Sequence, residues 1–130
     1  MSSESGKFGF VSKYQSLAEI MLDRRLASLG DAFVNFIHSL ALSVKNNHPL
    51  GAKVKGRVLA EALRKTGLRT KLPSRTDRHK LANAAEALII YGWLCDHVSL
   101  EESLIILQKN EDVVDGLSQL LHTVAKRTSF

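Results

Sequence analysis

Apolar residues recur at three- and four-residue intervals along most of the chain, and no stretch shows the strict alternation of a half-buried strand. Residues 11 to 22 carry the first such rhythm, with Val11, Tyr14, Leu17, Ile20 and Met21. The second, from about Leu22 to Lys45, predicts a helix with Leu26, Leu29, Phe33, Phe36, Ile37, Leu40 and Val44 on one face. Val34, Ala41 and Leu42 widen that face beyond what a surface helix needs, so this helix is expected at the centre, with apolar surface left for a second copy of the chain. Asn46-Asn47-His48-Pro49 and Gly51 break the pattern. It resumes from Val54 to Lys65, with Val58, Leu59, Ala62 and Leu63 facing inward, and stops at Gly67. Residues 68 to 76, which include Pro73, read as a basic loop, and Asp77 to His97 as a long helix rich in Ala, Leu and Ile. Ser99 and Glu102 form a capping-box pattern opening a helix through Leu107. A last amphipathic helix from Val113 to Ala125 turns Leu117, Leu120 and Leu121 inward. With no repeat or low-complexity tract, the expected architecture is a single all-α domain over residues 1–130, its core running from about 12 to 127.

A chain of 130 residues buries a real core but leaves no room for a catalytic domain plus a separate accessory one. Its hydrophobic and charged fractions, 45% and 24%, are those of a soluble globular protein. The nearly apolar run from Ala84 to Cys95 is interrupted by Glu86 and is too short for a bilayer, so no membrane association is expected. Met1 to Gly6 lacks a basic region followed by an apolar stretch, which points to a cytoplasmic address. The single cysteine, Cys95, excludes an internal disulfide and a multi-cysteine metal site, and is expected as core filler. Charge changes the picture more than composition does. Residues 53 to 80 hold ten basic side chains against Glu61 and Asp77, a net of +8, whereas the rest of the chain nets −3. Lys53, Lys55, Arg57, Arg69, Lys71, Arg75, Arg78, His79 and Lys80 are therefore the candidate contacts for a polyanion, nucleic acid first, against the alternative of a merely solvated face.

Two acids stand inside apolar helical segments: Asp31 in Leu29-Gly30-Asp31-Ala32 and Glu86 in Asn83-Ala84-Ala85-Glu86-Ala87-Leu88-Ile89. Desolvating an unpaired carboxylate costs several kcal/mol or more, so each needs a partner or a cation. Asn83 and Glu86 are three apart on one helix, and Asp31 and Asn35 four apart on another. Packing those helices together would gather two carboxylates and two amides, an oxygen-only donor set suited to magnesium or manganese, with Asp31, Glu86 and Asn83 as ligands. The competing explanation pairs Asp31 with Arg24 or Arg25. The five histidines, His38, His48, His79, His97 and His122, lack ligand-type spacing, and only His79, beside the basic patch, is a candidate phosphate contact. Gly30 reads as a point where two helices cross closely.

Arg25-Leu26-Ala27-Ser28-Leu29-Gly30-Asp31-Ala32 resembles the signature helix of ribonuclease III, and Leu81-Ala82-Asn83-Ala84-Ala85-Glu86-Ala87-Leu88-Ile89 resembles its second acidic motif, in the same order and separation. The resemblance spans roughly Leu22 to Leu107 and implies a ribonuclease III endonuclease-domain-like helical bundle, a homodimer that cuts double-stranded RNA with magnesium. It places Asp31 on the signature aspartate and Glu86 on the metal-binding glutamate. Where full-length bacterial members carry two further acids, this chain has Ala27 and Asn83. The compact Mini-ribonuclease III enzymes are similar in that respect, in lacking a separate double-stranded-RNA-binding domain, and in an aromatic run like Ile90-Tyr91-Gly92-Trp93-Leu94; an archaeal-type branch is the other candidate. Three functions follow: a metal-dependent endoribonuclease acting on double-stranded or structured precursor RNA, a ribonuclease III fold that binds RNA or the ribosome without cutting, or a helical protein-interaction module.

Overall fold

The structure is a computed structural model and describes residues 8–11 and 13–130. Met1 to Gly6, read above as lacking a secretion signal, lies outside the described residues, as does Ser12 at the expected core boundary. Six α-helices follow one another: α1 Leu17–Met21, α2 Arg24–Asn46, α3 Gly56–Thr66, α4 Arg78–Leu94, α5 Leu100–Lys109 and α6 Val113–Arg127, with a short 3-10 turn at Leu68–Lys71. No strand occurs among the described residues, in keeping with the all-α expectation. Side chains define the starts. Ser16, Asp23, Asp77, Ser99 and Asp112 each accept a hydrogen bond from an N–H of the first turn they precede, satisfying donors that the helix itself leaves open. Asn47 and Gly67 close α2 and α3 in the left-handed conformation, with φ of 58° and 81°.

The expected first helix is mostly not a helix. Ser16 sits in extended backbone and caps Glu19, so only Leu17–Met21 winds, while Val11 and Tyr14 pack on the core from an irregular segment. The long helix expected to reach His97 stops at Leu94, because Asp96 turns left-handed at φ 60° and the N–H groups of His97 and Val98 fold back to Gly92 O. Part of the expected loop after Gly67 is the 3-10 turn, which buries Leu68, with Leu72 buried just beyond it. Cys95 is only partly buried, outside the core. The capping box is half-formed: Ser99 Oγ accepts from Glu102 N–H, but the Glu102 carboxylate turns to Arg127 in a two-pronged pair at 2.7 Å on each arm.

The central helix is α4 rather than α2. Alanines and branched apolar residues surround α4 on every side, and it packs against α1, α2, α3 and α6. Its neighbour α2 buries Leu26, Ala27, Gly30, Val34, Ile37 and Ala41, so the face expected inward is rotated: Leu29, Phe36 and Val44 are exposed. Small residues set that rotation. A Cβ on Gly30 would lie 2.1 Å from the Glu86 carbonyl oxygen, so only glycine lets α2 rest on α4 there. Gly92 does the same for α6, where a Cβ would meet Val124 at 2.4 Å. Among the described residues one helix, α2, is long and apolar enough to cross a membrane, a property shared by core helices of its kind, and here it packs against α4 and α5.

Candidate active site

The crossing at Gly30 builds the site. Because α2 touches α4 at the backbone of Glu86, the next residue along α2, Asp31, meets the Glu86 side chain, and their carboxyls share a hydrogen bond. Glu86 is only 8% exposed. Burial, then the hydrogen bond and charge of Asp31, push its carboxyl up to about 8 against the opposing pull of Lys53. Asp31 moves the other way: the hydrogen bond from Glu86 lowers it most, burial opposes, and Lys53 and Asn35 lower it further. The two carboxyls therefore titrate as a pair that shares a proton, with Glu86 the partner pushed toward the neutral form.

A polar ladder supports this pair. Asp31, Asn35, Ser39 and Ser43 stand four residues apart along one line of α2, and each holds the segment that follows α2. Ser43 Oγ accepts from Leu50 N–H at 3.0 Å, Ser39 Oγ from Ala52 N–H at 2.8 Å, and Asn35 Oδ1 from Val54 N–H at 2.8 Å. Lys53, fixed between the last two rungs, extends its ammonium to 3.4 Å from Asp31 Oδ1, and Asn35 Nδ2 donates to the same oxygen at 3.1 Å. The Asn35 amide oxygen is thus committed to the backbone. Of the two amides expected to join the carboxylates as ligands, only Asn83 faces the cleft. The alternative pairing of Asp31 with Arg24 or Arg25 does not occur.

Asp31 and Glu86 open into a cleft of about 380 Å³, lined also by Arg24, Lys53, His79 and Asn83. Ala27 lines it too, at a position where the sequence comparison above called for an acid in fuller members. Beside it is a recess of about 270 Å³ lined by Lys55, Arg57, Arg78 and His79, sharing Gly56, His79 and Ala82 with the cleft. Lys55 immediately precedes α3, Arg57 lies in its first turn and Arg78 opens α4, and none of the three forms an ion pair with a described residue. The rest of the expected basic surface divides. Lys80 reaches a neighbouring hollow with His79 and Asn83. Lys71 and Arg75 are exposed but line neither the cleft nor the recess, and Arg69 donates to Pro73 O and Ser74 O, bracing its own loop. Lys53 belongs to the acid pair rather than to the open cationic surface. Arg24 is a cleft residue that its charge alone does not reveal. The ladder was visible in principle, as four polar residues at helical spacing in an otherwise apolar segment.

Among the described residues no group of three or more His, Cys, Asp or Glu side chains converges. Two carboxyls and an amide on the wall of an open cleft do fit a hard divalent cation that keeps most of its water, which magnesium does. They do not fit zinc.

An all-helical domain closed at a glycine so that two carboxyls share a cleft under a cationic rim defines the class. Residues 24–129 match the family model described as Ribonuclease III, and the chain belongs to the ribonuclease III family. No curated protein matches it.

Proposed function

We propose that this protein is a metal-dependent endoribonuclease that hydrolyses phosphodiester bonds in double-stranded or structured RNA as a cytoplasmic homodimer. The observation that carries this reading is the Asp31–Glu86 pair, brought together by Gly30 at the floor of a cleft rimmed by cations. Asp31 and Glu86, with Asn83 beside them, would hold magnesium, or manganese in its place. Held there, such an ion would supply a more acidic bound water and positive charge for the phosphate oxygens. In the reaction a water oxygen bonds to phosphorus, the bond to the 3′ oxygen breaks, and the displaced oxygen takes up a proton.

For the protein's own residues the first task is electrostatic. Glu86 must give up its proton to hold a cation, and the Asp31 carboxylate is already charged and exposed on the cleft side. The second task is to bring a polyanion to that point. Lys55, Arg57 and Arg78 in the recess, with Lys80 nearby, offer positive charge that no described residue pairs, and His79 beside them adds a hydrogen-bonding ring to the same surface. Double-stranded RNA is read mainly through phosphates and 2′-hydroxyls, so such a surface without a stacking platform suits it. A second copy supplies the other strand's site. Leu22, Leu29 and Phe36 recur every seven residues and are 49%, 42% and 52% exposed, a stripe that no described element covers.

One observation favours a second reading, an RNA-holding member of the family that does not cut: Ala27 leaves the cleft with two carboxyls where four would give a stronger metal site. A labelled RNA duplex incubated with magnesium, with EDTA, and with Glu86→Gln protein separates the two. Cutting that needs magnesium and disappears in the variant supports the nuclease. Binding without cutting in magnesium supports the second reading.

A further inference from the structure

Lys53 is held with more care than a surface lysine requires. Its backbone neighbours on both sides are tied to α2, Ala52 through Ser39 at 2.8 Å and Val54 through Asn35 at 2.8 Å, so the base of the side chain is fixed while the stem is free. The side chain is 72% exposed, and its ammonium stands 3.4 Å from Asp31 at the mouth of the cleft. A surface ion pair of that exposure contributes little to stability. Besides holding the segment that follows α2, the ladder presents a cation to the acid pair.

Charge arithmetic says what that cation is for. Two carboxyls and one amide balance a single divalent ion and do not provide the shared ligands of a two-metal clamp, in which the second ion stabilises the phosphate on the side away from the first. Arg24 also lines the cleft, but Lys53 alone forms an ion pair with the carboxylates among the described residues. Were magnesium held by Asp31, a phosphate oxygen bound to the same ion would lie beside the Asp31 carboxylate, which the ammonium already faces at 3.4 Å.

We propose that Lys53 is a catalytic residue: its ammonium rests on Asp31 in the free protein and passes to a non-bridging oxygen of the scissile phosphate when RNA and metal enter. This rests on the nuclease reading above. Lys53 stabilises the negative charge that builds on the phosphate as the water oxygen bonds and the 3′ oxygen departs, and it neither gains nor loses a proton. In the free protein it competes with a divalent ion for Asp31.

The test compares wild type, Lys53→Met and Lys53→Arg in three measurements: Mn2+ affinity without RNA by electron paramagnetic resonance, duplex RNA affinity in Ca2+, and single-turnover cutting at saturating Mg2+. Lys53→Met should bind Mn2+ roughly tenfold more tightly, as removal of one unit charge near a divalent ion in a solvent-filled cleft implies. It should lose about 10²-fold or more in cutting rate at saturating metal, the size of one lost oxyanion donor. Duplex affinity should fall only by the share of one phosphate contact, and Lys53→Arg should recover part of the rate. Cutting by Lys53→Met at the wild-type rate, with or without altered Mn2+ affinity, overturns the proposal alone and leaves Lys53 a mere counter-ion. A duplex-affinity loss that accounts for the whole rate loss overturns it too. A wild type that binds the duplex and never cuts it overturns the nuclease reading, and the proposal falls with it.

Discussion

Glu86 is the residue on which physical chemistry bears hardest, because it is a carboxyl buried against a carboxyl. Its proton is retained up to about 8 instead of the ordinary 4.5, so the folded state binds a proton that the unfolded chain has already lost. For an acid raised in this way, the stabilising contribution is complete below the ordinary carboxyl range and is lost as pH climbs through about 8. In EDTA, wild-type protein is therefore expected to lose stability between about pH 4.5 and about pH 8 in urea unfolding, while Glu86→Gln, which keeps a donor for Asp31 and cannot ionise, loses less. Parallel stability profiles for the two proteins would show that the shared proton does not exist. Both acids were legible in the sequence as carboxyls stranded among apolar neighbours. The close crossing at Gly30 that brings them together was legible too, but the brace was not, since Asn35 looks like a ligand by spacing and instead accepts a hydrogen bond from the Val54 N–H.

At the level of elements, helical rhythm located α2 through α6 to within a few residues, but it did not say which face of α2 goes inward. Counting apolar residues favours the face that contains Leu29 and Phe36, whereas packing selects Ala27, Gly30 and Ala41, because small residues allow two helix backbones to approach. Hydrophobicity and closeness of approach are different criteria, and along α2 they pick different sides. The apolar face that packing passes over is exposed, and the proposed second copy of the chain would cover it. If that molecule is a second copy of the chain, Phe36→Glu places a charge in the middle of the stripe and should convert the dimer to a monomer while α2 stays helical. Light scattering during gel filtration, with circular dichroism on the same samples, reads both. A wild type that already runs as a monomer, or a Phe36→Glu protein that remains dimeric, removes the stripe as a dimer interface.

Across the whole molecule the basic surplus of residues 53 to 80 resolves into parts with different duties, which sequence position alone could not separate. Arg69 and Arg78 lie nine positions apart in the same segment. Arg69 spends its guanidinium on the carbonyls of Pro73 and Ser74, and Arg78 opens into the recess beside the acid pair with no ion pair to a described residue. Binding to a duplex releases about one counterion for each phosphate neutralised, so the slope of log affinity against log salt counts the cations in contact. Arg78→Ala should reduce the magnitude of that slope by about one, with weaker binding to every duplex sequence, whereas Arg69→Ala should leave the slope unchanged and lower only thermal stability through its loosened loop. Equal changes of slope in the two variants would mean that the polyanion meets the segment as a diffuse charged face. An unchanged slope for Arg78→Ala alone would move the RNA track away from the recess and detach the cationic rim from the acid pair that it is argued to serve.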